Sequence, residues 1–287
     1  MRRRIFLILT AIAASAVFAS TASAGVTELK RPKPSWYTSA LHQRVLSAGA
    51  NGVQVAEERL NLECPGVQQR GVSAAGCIVE PYGCTANFIF RDSTSYYVGT
   101  ARHCVDGVGS TLVMQVDTAT LAAVGTVTKH TPGDGEPGED FALVELDPAV
   151  VAKWGVSPAI PVVGGPQGVY DGCSPQPVKH YGHGYGVAVS QGKPEAGLAT
   201  NWLADGYGWT GFGAPGDSGS PVVLGDNRGA GNFTHLIVDF GDFPGSDLAG
   251  MRLTAILQFV GSGISLVNAD GSTSTSGPAT CTSRTLG

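Results

Sequence analysis

Glycine restricts this chain more than any other residue: 41 of its 287 positions are Gly, set between short runs of Val, Ile, Thr and Tyr. Glycine serves tight turns, and such runs fit a pleated surface, so the pattern predicts many short strands and an all-β protein. One set is expected at Ala86–Phe90 and Tyr96–Gly99, joined by a polar turn at Asp92–Thr94, then at Thr111–Val116, Leu121–Lys129 and Phe141–Leu146. These would close into a first antiparallel β-barrel. Residues Asp147–Gly165, rich in Pro and Val, read as a connector. A second set, at Val178–Tyr181, Val187–Ser190, Thr200–Leu203, Pro221–Leu224 and Phe233–Val238, would build a second barrel. Leu253, Ile256, Leu257 and Val260 stand apart: their i, i+3, i+4, i+7 spacing predicts a short C-terminal helix.

The ends of the chain read differently. Met1-Arg2-Arg3-Arg4, an apolar stretch from Ile5 to Phe18 and small residues up to Ala24 form a secretory signal with cleavage expected after Ala24. Arg3-Arg4-Ile5-Phe6-Leu7 also fits a twin-arginine signal, so the export route stays open. Removing residues 1–24 takes away three arginines and leaves 15 basic against 23 acidic residues, a net charge of about −8. Apart from Lys30-Arg31-Pro32-Lys33, Lys and Arg are scattered singly, which gives nucleic acid or an anionic membrane little electrostatic foothold. Residues 25–76, with a helix-compatible stretch around Leu41 to Leu60, read as an N-terminal extension or short pro-segment, 77–265 as the main domain (barrel one about 77–150, barrel two about 160–265), and 266–287 as a polar tail. Six cysteines, none in a Cys-x-x-Cys pair, point to disulfides in an oxidising compartment, with 15 pairings open.

Three short motifs carry chemistry: Thr100-Ala101-Arg102-His103-Cys104, Asp140-Phe141-Ala142-Leu143-Val144 and Gly216-Asp217-Ser218-Gly219-Ser220-Pro221. A serine hydroxyl needs an imidazole to take its proton and a carboxylate to fix that imidazole's tautomer. All three are present, in the order His, Asp, Ser. Asp140 precedes an apolar run, as suits a carboxylate entering a dry interface.

These motifs resemble those of the chymotrypsin-like serine proteases, particularly bacterial secreted members. The resemblance spans Gly99 to Pro221 and implies two perpendicular six-stranded antiparallel β-barrels with His103 as general base, Asp140 as its orienting acid and Ser218 as nucleophile. It implies an oxyanion hole from the Gly216 and Ser218 amides, a buried, ion-paired Asp217, and a primary specificity pocket involving Phe212 at its floor and Thr234 on its wall. Phe212 lies where a trypsin-like pocket would carry a carboxylate, so an apolar or small side chain is the expected preference. The chain shows no Ile-Val-Gly-Gly-like new N-terminus, which departs from vertebrate-type activation. The family's pattern further implies Cys84–Cys104; the other four cysteines keep three pairings open, of which Cys64–Cys77 with Cys173–Cys281 is the one expected. The expected protein is then a secreted, monomeric endopeptidase acting on protein or peptide substrates without cofactor or metal. A non-catalytic binding protein of the same fold is the alternative.

Other features are weaker. His180 and His183, with Asp171 and Cys173 nearby, lie in a Gly-rich extended segment where two rings need not converge on a metal. Asp134, Glu136 and Glu139 lack the spacing of a calcium loop. Asn232-Phe233-Thr234 matches a glycosylation sequon but falls at a predicted buried strand.

Overall fold

The computed structural model describes residues 84–281 apart from 116–119, 134–135, 157, 161–162, 183–193, 215, 237–242, 276 and 278–280, with short backbone segments at 20–23, 26–30, 54–56, 71–72 and 78–79. Two antiparallel sheets dominate. In chain order the early strands are β1 (Ser20–Ser23), β2 (Val26–Lys30), β3 (Gln54–Ala56), β4 (Gly71–Val72), β5 (Ile78–Val79) and β6 (Cys84–Thr85). They are followed by β7 (Ile89–Arg91), β8 (Tyr96–Thr100), β9 (Thr111–Gln115), β10 (Thr120–His130) and β11 (Ala142–Leu146). The first sheet runs β7, β8, β11, β10, β9, β3, β6, with β2 beside β10. Gln54–Ala56 is thus a strand, within the stretch expected to be helix-compatible.

The second sheet uses β12 (Gln176–Tyr181), β13 (Pro194–Trp202), β14 (Gly206–Thr210), β15 (Pro221–Leu224), β16 (Gly229–Asn232), β17 (His235–Leu236) and β18 (Leu248–Met251). Its spatial order is β16, β15, β12, β13, β14, β18, β17. Three of these strands, β14, β16 and β18, were not expected, because their glycines break the period of two. The glycines answer close approach: a Cβ on Gly250 would come within 1.7 Å of the Asn232 carbonyl oxygen. The expected Val187–Ser190 strand and Cys64 and Cys77 lie outside the described residues.

The expected connector contains a helix, α1 (Pro148–Trp154). Asp147 caps it by accepting from the Ala149 N–H at 2.7 Å, Pro148 occupies the first turn and Gly155 ends it at φ 75°. Such a cap stabilises a helix by about 1 kcal/mol. The predicted C-terminal helix is present as α2 (Leu253–Val260), with Leu253, Ile256, Leu257 and Val260 all buried. Burying each such side chain contributes about 1.5–3 kcal/mol. The chain just after it returns to the first sheet. β19 (Ser265–Val267) pairs with β7 of the first sheet and β20 (Thr273–Ser274) with β19. Leu266, buried completely, is the apolar anchor that the polar composition of the tail concealed.

The core has three parts. One fills the first sheet around Ile89, Val98, Val127 and Val144. Another lies within the second, where Trp202, Tyr207 and Trp209 stack at 5.0 and 5.1 Å. The third joins the halves: Phe88, Phe90, Phe141 and Leu143 pack with Tyr181, Val223, Met251 and the buried face of α2. Lys129 of β10 clasps this junction by donating from Nζ to the Phe259 carbonyl at the end of α2.

Candidate active site

The His103 motif folds as a single turn. β8 ends at Thr100, Ala101 stays extended and Arg102–Cys104 form a 3-10 turn that turns the imidazole off the rim of the first sheet. Asp140 follows a second such turn, Pro137–Glu139, immediately before β11. The two meet closely. The His103 backbone N–H donates to Asp140 Oδ1 at 3.0 Å, and Nδ1 lies 2.7 Å from Oδ2. An ionised carboxylate only accepts, so Nδ1 carries the proton and Nε2 keeps its lone pair. The carboxylate is fully buried, whereas the imidazole side chain is 31% exposed. The imidazole thus meets solvent on one side and a fixed carboxylate on the other.

The Ser218 loop comes from the second sheet. Gly216 has φ 101° and Gly219 φ 89°, both in the left-handed region that favours glycine. A Cβ at Gly219 would also come within 2.2 Å of the Thr85 carbonyl and 2.5 Å of Thr100 Oγ1, so the loop presses against the first sheet there. Thr85 holds it twice, donating from its backbone N–H to the Ser218 carbonyl at 2.7 Å and from Oγ1 to the Gly216 carbonyl at 2.8 Å. Cys84 is bonded to Cys104, next to His103, and the Cys104 sulfur lies 4.0 Å from the Ser218 carbonyl oxygen. Main chain of the serine loop and base therefore share one neighbourhood.

Within this loop the amides divide into two groups. Asp217 donates to the Ala214 carbonyl, Gly219 to Phe233 and Ser220 to Asp217. Among the described residues no hydrogen bond engages the amides of Gly216 and Ser218. The buried Asp217 carboxylate accepts from the Ala214 N–H at 2.8 Å.

The remaining expected positions are distributed around this centre. Phe212 is half-exposed and its carbonyl accepts from His180 Nε2 at 2.8 Å; Thr234 is buried, with Oγ1 donating to the Ala249 carbonyl. His180 is buried too, its ring 5.4 Å from that of Phe233 and its Nδ1 3.4 Å from Ser220 Oγ, as suits a packing residue. His183 and Asp134 lie outside the described residues, and Cys173 is bonded to Cys281. Among the described residues the grouping Cys84, His103, Cys104 brings potential metal-ligand atoms within 4.8 Å, but its sulfurs are joined to each other and offer no thiolate.

Two neighbours of Asp140 were missed as functional candidates. His235 Nδ1 stands 3.9 Å from Asp140 Oδ2 and 2.7 Å from Thr234 Oγ1, its ring edge-on to His103 at 6.4 Å. Asn232 donates from Nδ2 to the Asp140 carbonyl at 2.9 Å. The sole sequence signal at Asn232 was the sequon, and the atom that glycosylation would modify is already used in this buried bond.

No family model and no curated protein matches the chain. Solved serine proteases do match it. Thermobifida fusca Protease A is 20% identical over 66% of this chain and 93% of its own, with a TM-score of 0.46. Cellulomonas bogoriensis chymotrypsin is 18% identical over 77% and 98%, at 0.46, and alpha-lytic protease homolog N4 is 18% identical over 74% and 96%, at 0.42.

Proposed function

We propose that this chain is a secreted serine endopeptidase. Ser218 Oγ attacks the carbonyl carbon of a peptide bond while its proton passes to His103 Nε2. The imidazolium so formed is held by Asp140 through Nδ1–H. The carbonyl oxygen, now negative, accepts from the Gly216 and Ser218 amides, the two that no internal bond engages among the described residues. As the tetrahedral intermediate collapses the C–N bond breaks, the leaving amine takes the proton from Nε2 and an acyl-serine remains. Water, deprotonated by the same nitrogen, then releases the acid and restores Ser218.

The observation that carries this reading is the 2.7 Å bond between a part-exposed imidazole and a fully buried carboxylate, beside the loop that bears Ser218. An arrangement of this kind has little use in a binding module. The signal-like start and the disulfides favour export, and the scattered basic residues favour a peptide over nucleic acid as partner, the enzyme acting as a monomer. β17 is an edge strand in which Leu236 is exposed, which supports docking of the substrate backbone along it. Phe212 and Thr234 bound the pocket for an apolar or small side chain.

The test is covalent labelling by a fluorophosphonate together with casein digestion. Wild-type protein should label and digest, and Ser218→Ala should do neither while keeping its near-UV circular dichroism. Labelling and digestion undiminished in Ser218→Ala would sink the assignment. Activity should rise with pH as the base deprotonates.

A further inference from the structure

Asn232 sits at the end of β16, in the second sheet, with no exposure to solvent. All of its side-chain groups engaged in bonding serve other parts of the chain. Nδ2 donates to the Asp140 carbonyl at 2.9 Å, across 92 residues of sequence, and Oδ1 accepts from the Met251 N–H at 3.0 Å. Its own carbonyl accepts from Tyr207 Oη at 3.1 Å. Gly250 faces it so closely that no Cβ could stand there. The side-chain amide is thus held at both its nitrogen and its oxygen.

The next residue ties the other half of the chemistry. Phe233 donates from its N–H to the Ser220 carbonyl at 2.9 Å and accepts from the Gly219 N–H at 2.6 Å, while Asn232 itself lies opposite Pro221 in the β15–β16 ladder. One dipeptide thus holds the main chain of the acid with one hand and the loop around the serine with the other. We infer that Asn232 is a positioning residue for proton transfer, setting where the Asp140 carboxylate stands relative to His103 and Ser218. This rests on the proteolytic reading and adds to it a residue outside the three reacting groups.

The chemistry distinguishes it from a packing residue. Leucine would fill much the same space but would leave the Asp140 carbonyl and the Met251 amide without partners. Aspartate would still accept from Met251 yet turn an oxygen toward the Asp140 carbonyl, so it removes the contact to the acid selectively. A misplacement of about 1 Å in a catalytic array can cost on the order of 10²-fold. Asn232→Asp and Asn232→Leu should therefore lower kcat about ten- to a hundredfold with KM changed less than about twofold, the pattern of a contact that matters in the transition state. A displaced carboxylate also supports the protonated imidazole less well, so the acid limb of the kcat/KM profile should move to lower pH.

The control is Tyr207→Phe, which removes a buried hydrogen bond to the same residue while leaving its side chain on Asp140. It should lower the melting temperature comparably and keep kcat within about twofold. Kinetics on a peptide anilide from pH 5 to 9, with thermal melts of all three variants, read the outcome. If Asn232→Leu does not fold, Asn232→Asp decides alone; if neither folds, the strongly deshielded His103 Nδ1–H proton resonance of Tyr207→Phe must remain at the wild-type position for the inference to stand. Wild-type kcat and an unmoved acid limb in Asn232→Asp would overturn it, whatever the melts show. Full activity in Ser218→Ala would instead remove the proteolytic reading beneath it.

Discussion

Asp140 and Arg252 are both charged and both fully buried, yet their surroundings are opposite in kind. Asp140 faces an imidazole that can itself gain or lose a proton and is partly open to solvent. Arg252, the residue before α2, is held directly by backbone carbonyls, with carboxylates only at longer range. It donates from Nη1 to the Leu203 carbonyl and from Nη2 to the Gly172 carbonyl, both at 2.9 Å, touches the Cys281 sulfur and lies 5.2 Å from the Trp202 ring centre. Burial lowers its pKa from the usual guanidinium value, opposed by the charges of Asp171 and Asp205 among others. A buried charge held by fixed dipoles anchors structure, and one held by a titrating partner is available for chemistry.

Exchanging each charge for a neutral isostere gives the sharpest contrast. Asp140→Asn should reduce kcat by about 10⁴-fold through the wrong imidazole tautomer while the protein stays folded. Turnover of a peptide anilide and near-UV circular dichroism check both halves, and a folded variant with wild-type turnover would break the comparison. Arg252→Met should do the reverse, costing about 4 kcal/mol because two buried carbonyls lose their donor. Urea unfolding measures it, and the activity of the folded fraction should stay within about twofold of wild type. Opening the Cys173–Cys281 bond beside Arg252, as Cys173→Ser with Cys281→Ser, closes the series of stability effects at about 3 kcal/mol, since a long loop is released in the unfolded chain. Activity should again be spared.

A smaller effect comes from a half-buried carboxylate at the β7–β8 turn. Asp92 accepts from the backbone of Thr94, from Tyr97 Oη and from the backbone of Ser95, which hold its pKa well below the ordinary carboxylate range. A depressed folded pKa contributes stability above the unfolded value of about 4, and that contribution is lost as pH falls through the lower folded one. Its partner behaves inversely: Tyr97 is pushed up to about 12 by burial first and then by the bond to Asp92, so its contribution is complete below about 10 and lost as pH rises through 12. Asp92→Asn should flatten the fall in melting temperature below pH 4 without altering turnover at neutral pH. A melting curve as steep in acid as that of wild type would remove Asp92 from the comparison.

What could be read beforehand was whatever has a local signature. The face of α2 declares itself through Leu253, Ile256, Leu257 and Val260, and the first-sheet strands through their β-branched and aromatic runs. α1 carries a local signature too: Asp147 before Pro148 and a Gly at 155 form a cap, a first turn and a stop. β14, β16 and β18 had none, because their glycines answer to the strand lying against them. His103 and Asp140 were legible through their motifs. Asn232 and His235 were not, because they stand beside Asp140 only in space and no neighbour in sequence reports it.

His103 and Asp140 ride on one sheet, while Ser218 and the Asn232 amide that donates to the Asp140 carbonyl ride on the other, joined across an apolar seam and the Lys129 clasp. On the proposed proteolytic reading, a slip of the halves by about an ångström would leave the ladders within each sheet paired and the chemistry silent. Warming should accordingly extinguish turnover some degrees before the strands themselves come apart.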